Sequence, residues 1–257
     1  LAELGKAGAE VEAVTHPRFL LMRRAGRELT ALPGYAEGLW AVQDLTSFEA
    51  VEMVQPKPGE KVLDLCAAPG GKSFAVAELT EGGAEIVACD TDSARLSRLA
   101  PEAARLGHTI ATEVVDGEAF AYPAVDVDLL ILDVPCTNTG VLHKRPEARA
   151  RFHKDELHRA TTVQNLIRKA IQKTYLAPDG PRPRVLWTTC SLEPEENEER
   201  VADFLERHPG FVLEPTDAVA CRDAGEDGFV DDEGYLRVEP WRSGYDGSFA
   251  ARLRKAA

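Results

Sequence analysis

No two of the five cysteines stand in a C-x-x-C spacing. Cys66, Cys89, Cys136, Cys190 and Cys221 are scattered and odd in number, which argues against a disulfide framework and gives no zinc or other metal site. That usage fits a reduced, cytoplasmic compartment. The chain lacks an apolar run long enough to span a membrane and lacks a basic-then-apolar leader, so neither a membrane partner nor a signal peptide is expected. It has no internal repeat and no low-complexity tract. It also lacks an initial methionine, starting at Leu1. A fragment or processed chain, with a preceding domain missing from view, is the expectation.

Positive charge is in short supply as well. The formal net charge is -13, which taken globally argues against a polyanionic partner. The distribution of charge weakens that objection. His143 to Arg159 holds six Lys or Arg (Lys144, Arg145, Arg149, Arg151, Lys154, Arg159) against three acids, with three histidines besides. Arg18, Arg23, Arg24 and Arg27 form a second basic cluster. Acids gather instead in Glu193 to Glu199, read as a helix start, and in Asp223 to Glu233, read as a solvated loop.

What is present is enough for one α/β domain with a small appendage: 257 residues, 44% apolar. Residues 1–45 are read as a small N-terminal subdomain, with a short strand near His16 to Met22, a turn at Leu32-Pro33-Gly34 and another short strand at Trp40 to Asp44. Residues 46–257 form the main domain. Leu45 to Val54 reads as a helix with Thr46 or Ser47 as its cap.

A regular cadence follows. Strands are expected at Lys61 to Cys66, Ile86 to Cys89, His108 to Val115, Val127 to Leu132 and Arg184 to Cys190. Helices are expected at Ser73 to Leu79, from Asp92 as a cap to Leu106 with a kink at Pro101, at Asp155 to Leu176 and at Glu193 to Arg207. The helix at Asp155 to Leu176 carries Leu157, Val163, Leu166, Ile167, Ala170 and Ile171 at helical spacing. Strand, loop and helix at this spacing make parallel βαβ units. Phe211 to Leu213, Tyr235 to Glu239 and Ser248 to Leu253 read as closing strands, the last two an antiparallel pair.

Leu129 to Leu132 is a short continuous apolar run, as in a strand buried on both faces of a parallel sheet. It ends in Asp133, then Pro135 and Cys136, at the carboxyl edge where open α/β sheets bind ligands. A lone cysteine is usually a small hydrophobe. Its position is what makes this one interesting.

The loop Cys66, Ala67, Ala68, Pro69, Gly70, Gly71, Lys72 is built of small residues at a helix start, so its backbone amides stay open to a ligand. Three ligand classes compete. A dinucleotide site wants G-x-G-x-x-G, which is missing. A P-loop wants G-x-x-x-x-G-K-[ST]; Gly71-Lys72-Ser73 fits its end, but Cys66 stands at the first glycine position. Leu129 to Asp133 nevertheless resembles a Walker B strand, so a P-loop NTPase is the runner-up from a different class. The third class is S-adenosylmethionine (SAM). Asp90 would then bond the ribose hydroxyls, Asp116 would stand near the adenine amine, and Asp133 near the amino acid end. Each acid alone would be a cap or turn former. Three at successive strand ends beside one small-residue loop favour SAM.

These motifs together resemble the Sun-type RNA cytosine-5 methyltransferases, whose bacterial members include the small-subunit ribosomal RNA enzyme. The residues carrying the likeness are Leu63 to Lys72 (LDLCAAPGGK), Asp90, Asp116, Leu132 to Gly140 (LDVPCTNTG) with Arg145-Pro146, and Thr188 to Asn197 (TTCSLEPEEN). Ala31 to Asp44 and Asp246 to Phe249 also match the bacterial branch. Departures are small: Thr137-Asn138 replace a Ser-Gly or Ser-Ala pair, Val134 an alanine, and Ser248 a phenylalanine.

The resemblance implies a class I SAM-dependent methyltransferase (Rossmann-like), with a seven-stranded, mostly parallel sheet whose final pair is antiparallel. It implies methyl transfer to C5 of cytosine in RNA, ribosomal first and transfer RNA as the alternative. C5 of cytosine is a poor nucleophile until something adds to C6, and a thiolate suits that addition. A free cysteine has a pKa of about 8.5, so a positive group or donor should help the thiolate form. The family assigns attack to Cys190 and product release to Cys136, although the Pro-Cys setting alone would have suggested the reverse. Asp133 would face the N3/N4 edge of the base, and Lys72 would orient SAM or the base. Cys66 and Cys89 are expected within strands, Cys221 in a polar loop, and Trp187 in packing.

A duplex hides C5 and C6 in the stack, so the target has to be looped or flipped out. Arg145, Arg149 and Arg151, following the Pro-Cys loop, are the expected phosphate contacts. The bacterial relatives carry a separate helical RNA-binding domain ahead of this portion, which would answer the acidic total. A catalytically silent RNA-binding module is a further alternative that the two intact cysteines disfavour.

Overall fold

A computed structural model describes residues 1–14, 16–117, 121–123, 126–177, 183–214 and 229–256. Cys221 and the acidic stretch at 223–228 lie outside the described residues. The chain opens with helix α1 (Ala2–Lys6) and an antiparallel pair, β1 (Glu10–Ala13) and β2 (Leu20–Arg24). Leu4, Ala9 and Leu32 form a small core there, with Trp40 packed against it. Trp40 to Asp44, expected as a strand, pairs with no strand. The indole Nε1 of Trp40 donates to Pro33 O at 2.8 Å, and Asp44 caps the next helix, α2 (Leu45–Val54), accepting from the amides of Thr46 and Ser47. The cap is therefore two or three residues upstream of the hydroxyls expected in that role, because a carboxylate at the extended position reaches both amides.

From there βαβ units alternate: β3 (Lys61–Asp64), α3 (Gly71–Leu79), β4 (Glu85–Asp90), the short helices α4 (Ser93–Leu96) and α5 (Leu99–Arg105), β5 (Ala111–Val114) and β6 (Leu129–Asp133). The single helix expected from Asp92 to Leu106 is thus divided. Asp92 caps α4, and Pro101 falls in the first turn of α5, where no amide is needed. Next come α6 (Pro146–Arg151), α7 (Lys154–Thr174), β7 (Arg184–Thr189), α8 (Glu198–Arg207), β8 (Phe211–Leu213), β9 (Leu236–Val238), α9 (Pro240–Ser243) and β10 (Ser248–Lys255).

The main sheet has the order β5-β4-β3-β6-β7-β10-β8, with β9 paired to β10 as an eighth strand. β5 through β7 are parallel, and β10 is antiparallel to β7, β8 and β9. The chain moves outward from β3 to β5 and then returns to place β6 on the other side of β3. That reversal opens a crevice at the carboxyl ends of β3 and β6. Leu129 and Ile131 of β6 face one core layer and Leu130 and Leu132 the other, all fully buried. At roughly 1.5–3 kcal/mol per buried aliphatic side chain, this strand anchors the sheet.

α7 buries Gln164, Ile167, Arg168 and Ile171, a stripe at i, i+3, i+4 and i+7. Leu166, expected among the apolar contacts, is 43% exposed. A polar residue takes the inward place because Gln164 has partners near the site. The helix expected at Glu193 to Arg207 is broken as well: Pro194–Glu196 forms a 3-10 turn and Asn197 leaves helical geometry before α8. Asn197 Nδ2 donates to Ser191 O at 2.9 Å while its Oδ1 accepts from Thr189 at 2.6 Å. Those tertiary bonds outweigh one more turn of helix. Among the described residues, no helix is long and apolar enough to cross a membrane.

Candidate active site

Small residues after β3 let the chain turn sharply. Asp90, at the end of β4 and 7% exposed, braces the turn by accepting from the amides of Ala68 and Asp92, each at 2.9 Å. Arg95 donates to Ala68 O from the other side. Gly70 sits at φ +117, and a Cβ there would come within 2.7 Å of Phe74 and 2.9 Å of Leu99. No side chain caps α3, so the amides at its start are left for something else.

That start, with Gly71 and Lys72, lines a cavity of about 550 Å³. Asp133, Thr189 and Cys190 form its sheet-edge wall, and Arg145 and Val141 border it after the Pro-Cys loop. Gln43, Asp44, Arg98, Glu102 and Asp246 complete the rim. The segment before α2 reaches the rim because Arg105 clamps it. The guanidinium carbon lies 3.9 Å from the Tyr35 ring centroid, and the group donates to Tyr35 O and to Trp40 O. Gly38, at φ +71, lies so close to Arg105 O that no side chain would fit.

Lys72 is 10% exposed and its Nζ lies 2.7 Å from Asp133, which is 36% exposed. An ordinary helix-start lysine would be in solvent; this one is a buried ion-pair partner. Burial works against its charge, but the Asp133 carboxylate beside it, with Asp64 and Cys190, outweighs burial and raises its pKa. Asp64, fully buried beneath the loop, accepts from Ser73 at 2.8 Å. Its other oxygen has no partner among the described residues. Burial pushes its carboxyl up to about 7.

The thiols meet. Sγ of Cys136 lies 3.4 Å from Sγ of Cys190, 54 residues away in sequence. Hydrogen bonding from Cys136 holds the Cys190 thiol below its ordinary range, against burial and Asp133 and with help from Lys72 and Arg145. The same bond, with burial, pushes Cys136 well above the ordinary range. As a thiol Cys190 also donates to Asn138 Oδ1 at 3.3 Å, and Asn138 Nδ2 donates to Cys136 O at 2.8 Å. Cys66 and Cys89 are driven upward by burial, Cys89 to about 12. Behind Cys190, Gly140 N donates to Cys190 O and Gly247 N to Gly140 O, both at 2.9 Å. A Cβ on either glycine would come within 2.8 Å of the other's backbone.

Some expected site residues are thus brought together and others are not. Ala67, Pro69, Gly71, Lys72, Asp133, Cys190 and Arg145 share the cavity. Cys136 sits against Cys190. Cys66, Ala68, Gly70 and Asp90 support the loop, and Asp116 lies exposed past β5; none of these five lines this cavity. Arg149 and Arg151 are exposed on α6. Trp187 is packing, 1% exposed, its Nε1 donating to Glu196 O at 3.3 Å.

The residues not singled out from sequence are Gln43, Asp44, Asp246 and Glu196. Lys144 bridges Asp44 at 3.4 Å and Asp246 at 2.7 Å, and His143 Nε2 lies 3.0 Å from Asp246. Asp44 and Asp246 stand in stretches quoted for the family likeness, which was the available signal. Glu196 is fully buried. It accepts from Thr137 N at 3.0 Å, from the hydroxyls of Thr137 and Ser191, and from Gln164 Nε2 at 3.1 Å. Burial raises its pKa against those four bonds.

Comparison with known proteins agrees with the motifs. The family model "16S rRNA methyltransferase RsmB/F" matches residues 51–254. Ribosomal RNA small subunit methyltransferase B of Photorhabdus laumondii is 32% identical over 257 residues, covering 99% of this chain and 56% of that protein. Its counterpart in Klebsiella pneumoniae is 35% identical over 223 residues, covering 84% and 49%. The chain spans about half the length of these relatives. Among solved structures, a methyltransferase homologue from Pyrococcus horikoshii superposes with a TM-score of 0.75 at 27% identity, covering 99% of this chain and 81% of that one. NSun6 from Pyrococcus horikoshii, solved with SFG, gives 0.73 at 26% identity, covering 95% and 61%. The fold is that of the Rossmann-like SAM-dependent methyltransferases.

Proposed function

Because the chain belongs to the RsmB/F family of 16S rRNA methyltransferases, we propose that it transfers a methyl group from SAM to C5 of a cytosine in RNA, through a covalent bond between Cys190 and C6. The observation that carries this reading is the thiol pair at 3.4 Å beside the Lys72–Asp133 ion pair, at the end of two neighbouring parallel strands. An NTPase has no use for two such thiols.

The residues fit SAM. The uncapped start of α3 at Gly71 and Lys72 offers amides to its carboxylate, Asp133 offers an acceptor to its ammonium, and Asp90 and Asp116 stand at the ends of β4 and β5 for the nucleoside. When bound, SAM supplies an electrophilic methyl. The chain's own part is at the base. Thiolate sulfur of Cys190 bonds to C6, and the electron pair of the C5–C6 double bond shifts to make C5 nucleophilic. Asp133 faces the N3/N4 edge, and Lys72 fixes its carboxylate. After methylation the C5 proton passes to solvent water, the C5–H electron pair restores the C5–C6 double bond, and the sulfur–C6 bond breaks with its electron pair returning to Cys190 as thiolate. Cys136, with its Sγ 3.4 Å from that of Cys190, hydrogen-bonds the departing thiolate as a thiol donor.

The small-subunit ribosomal RNA is the substrate this reading favours, from the names of the relatives, and the cytoplasm the compartment. Arg145, Arg149 and Arg151 hold its phosphates. Labelled SAM incubated with this chain and ribosomal or transfer RNA, followed by bisulfite mapping, tests it. Methylation at C5 of cytosine in ribosomal RNA alone is the expected result; methyl elsewhere on the base, or none in any RNA while ATP is hydrolysed, would overturn it.

A further inference from the structure

Burying a carboxylate costs several kcal/mol before its partners are counted, and an apolar side chain of similar size would serve stability as well or better. Glu196 therefore needs another reason to sit fully buried between the two cysteine loops. Its donors supply one. Thr137 follows Cys136 directly, and Ser191 follows Cys190 directly. Both give their hydroxyl hydrogens to one oxygen of Glu196, while the Thr137 amide and Gln164 Nε2 address the other at 3.0 and 3.1 Å. Gln164 continues the tie from α7 to Pro135 O at 3.0 Å. A second layer runs parallel: Thr139 Oγ1 lies 3.2 Å from Ser191 Oγ and accepts from Leu192 N at 2.9 Å.

We infer that Glu196 is a positioning residue that straps the Cys136 loop to the Cys190 loop, so that the two thiols act as a pair. It touches neither substrate nor cofactor. The inference rests on the proposed reaction for its consequence, because a strap that keeps Cys136 beside the Cys190 sulfur keeps adduct release fast. The pairing itself is measurable without any methyl transfer.

The probe is phenylarsine oxide, which condenses with two thiols to form two arsenic–sulfur bonds and one water, with no change of oxidation state. Only thiols already adjacent hold it tightly, since the second bond closes within the protein at high effective concentration. The native chain should take it up at Cys136 and Cys190 by peptide mapping. Glu196→Ala should weaken that uptake about tenfold or more, by loss of effective concentration. Glu196→Gln should fall between, because its amide oxygen still accepts. With RNA and SAM, Glu196→Ala should also accumulate the covalent RNA adduct, lowering kcat and KM for RNA together and leaving kcat/KM near native.

A folded Glu196→Ala with native arsenical affinity would overturn the strap, as a purely structural role would lower Tm alone. If that variant does not fold, the double variant Thr137→Val with Ser191→Ala removes two donors and is read the same way. Weakened arsenical binding in a family of variants whose native parent forms no RNA adduct would uphold the strap and sink the reaction instead.

Discussion

The two cysteine loops leave adjacent strands at the same edge of one sheet, yet their thiols are driven in opposite directions. Cys190, past β7, faces the cavity with Lys72 and Arg145, and its pKa is lowered. Cys136, past β6, is pushed well above the ordinary range by its bond to the Cys190 sulfur and by burial, with the Glu196 charge adding to both. Position along the sheet edge does not distinguish them. What does is chiefly the bond the two sulfurs share, which lowers one pKa and raises the other, with the nearby charges a smaller contribution.

Deleting either thiol tests that asymmetry most severely. Cys190→Ala is expected to abolish methyl transfer and to form no covalent RNA adduct, the sulfur that bonds C6 being gone. Cys136→Ala should instead let the adduct build up on a denaturing gel, since attack remains and release is slowed. A gel with the two results exchanged would reverse the roles and the comparison with them.

A gentler test leaves both sulfurs in place. Alkylation of Cys190 by iodoacetamide should rise through a midpoint below that of an ordinary thiol, because its pKa is lowered. Cys136 should stay unmodified over that same pH range, as its proton is lost only far above the ordinary value. Peptide mapping across a pH series gives both curves. Lys72→Gln removes one positive neighbour and should shift the Cys190 midpoint upward, while Arg145 and the Cys136 donor still hold it down. An unmoved midpoint would mean that Lys72 serves Asp133 alone.

Legibility followed the range of the signal. β6 and the loop after β3 were legible because a continuous apolar run and a small-residue turn are local patterns. The pairing of Cys136 with Cys190 was within reach only through the family likeness; no spacing in the chain brings residues 54 apart to 3.4 Å. Glu196 stood in a stretch quoted for the family likeness, but its role was hidden. In sequence it is one of a run of acids that reads as a helix start on a solvated face, and its burial depends on donors from Thr137 and Gln164 that only the fold supplies. Asp44 misled in the same way, as the end of an apparent strand. In space it caps α2 and, with Asp246 and Lys144, closes the rim of the cavity. Tertiary neighbours decide the role of a lone acid, and a one-dimensional pattern carries none of them.

The smallest expected effect lies beyond the thiols, where the loops differ again. The Cys136 loop runs on into the basic segment of α6, whereas the Cys190 loop runs into the acids of the 3-10 turn before α8. If RNA lies along the Cys136 side, Arg149→Ala should weaken binding nearly uniformly across sequences. It should lower the slope of log affinity against log salt by about 1, the share of one phosphate contact. Arg149 is exposed and outside the cavity, so the rate of the chemical step at saturating RNA should stay native. A salt slope unchanged in both Arg149→Ala and Arg151→Ala would move the RNA path off α6, toward the N-terminal cluster of Arg18, Arg23, Arg24 and Arg27. Arg18 and Arg23 are already paired to Glu78 and Glu12, so that path would have to break exposed ion pairs worth at most about 1 kcal/mol each.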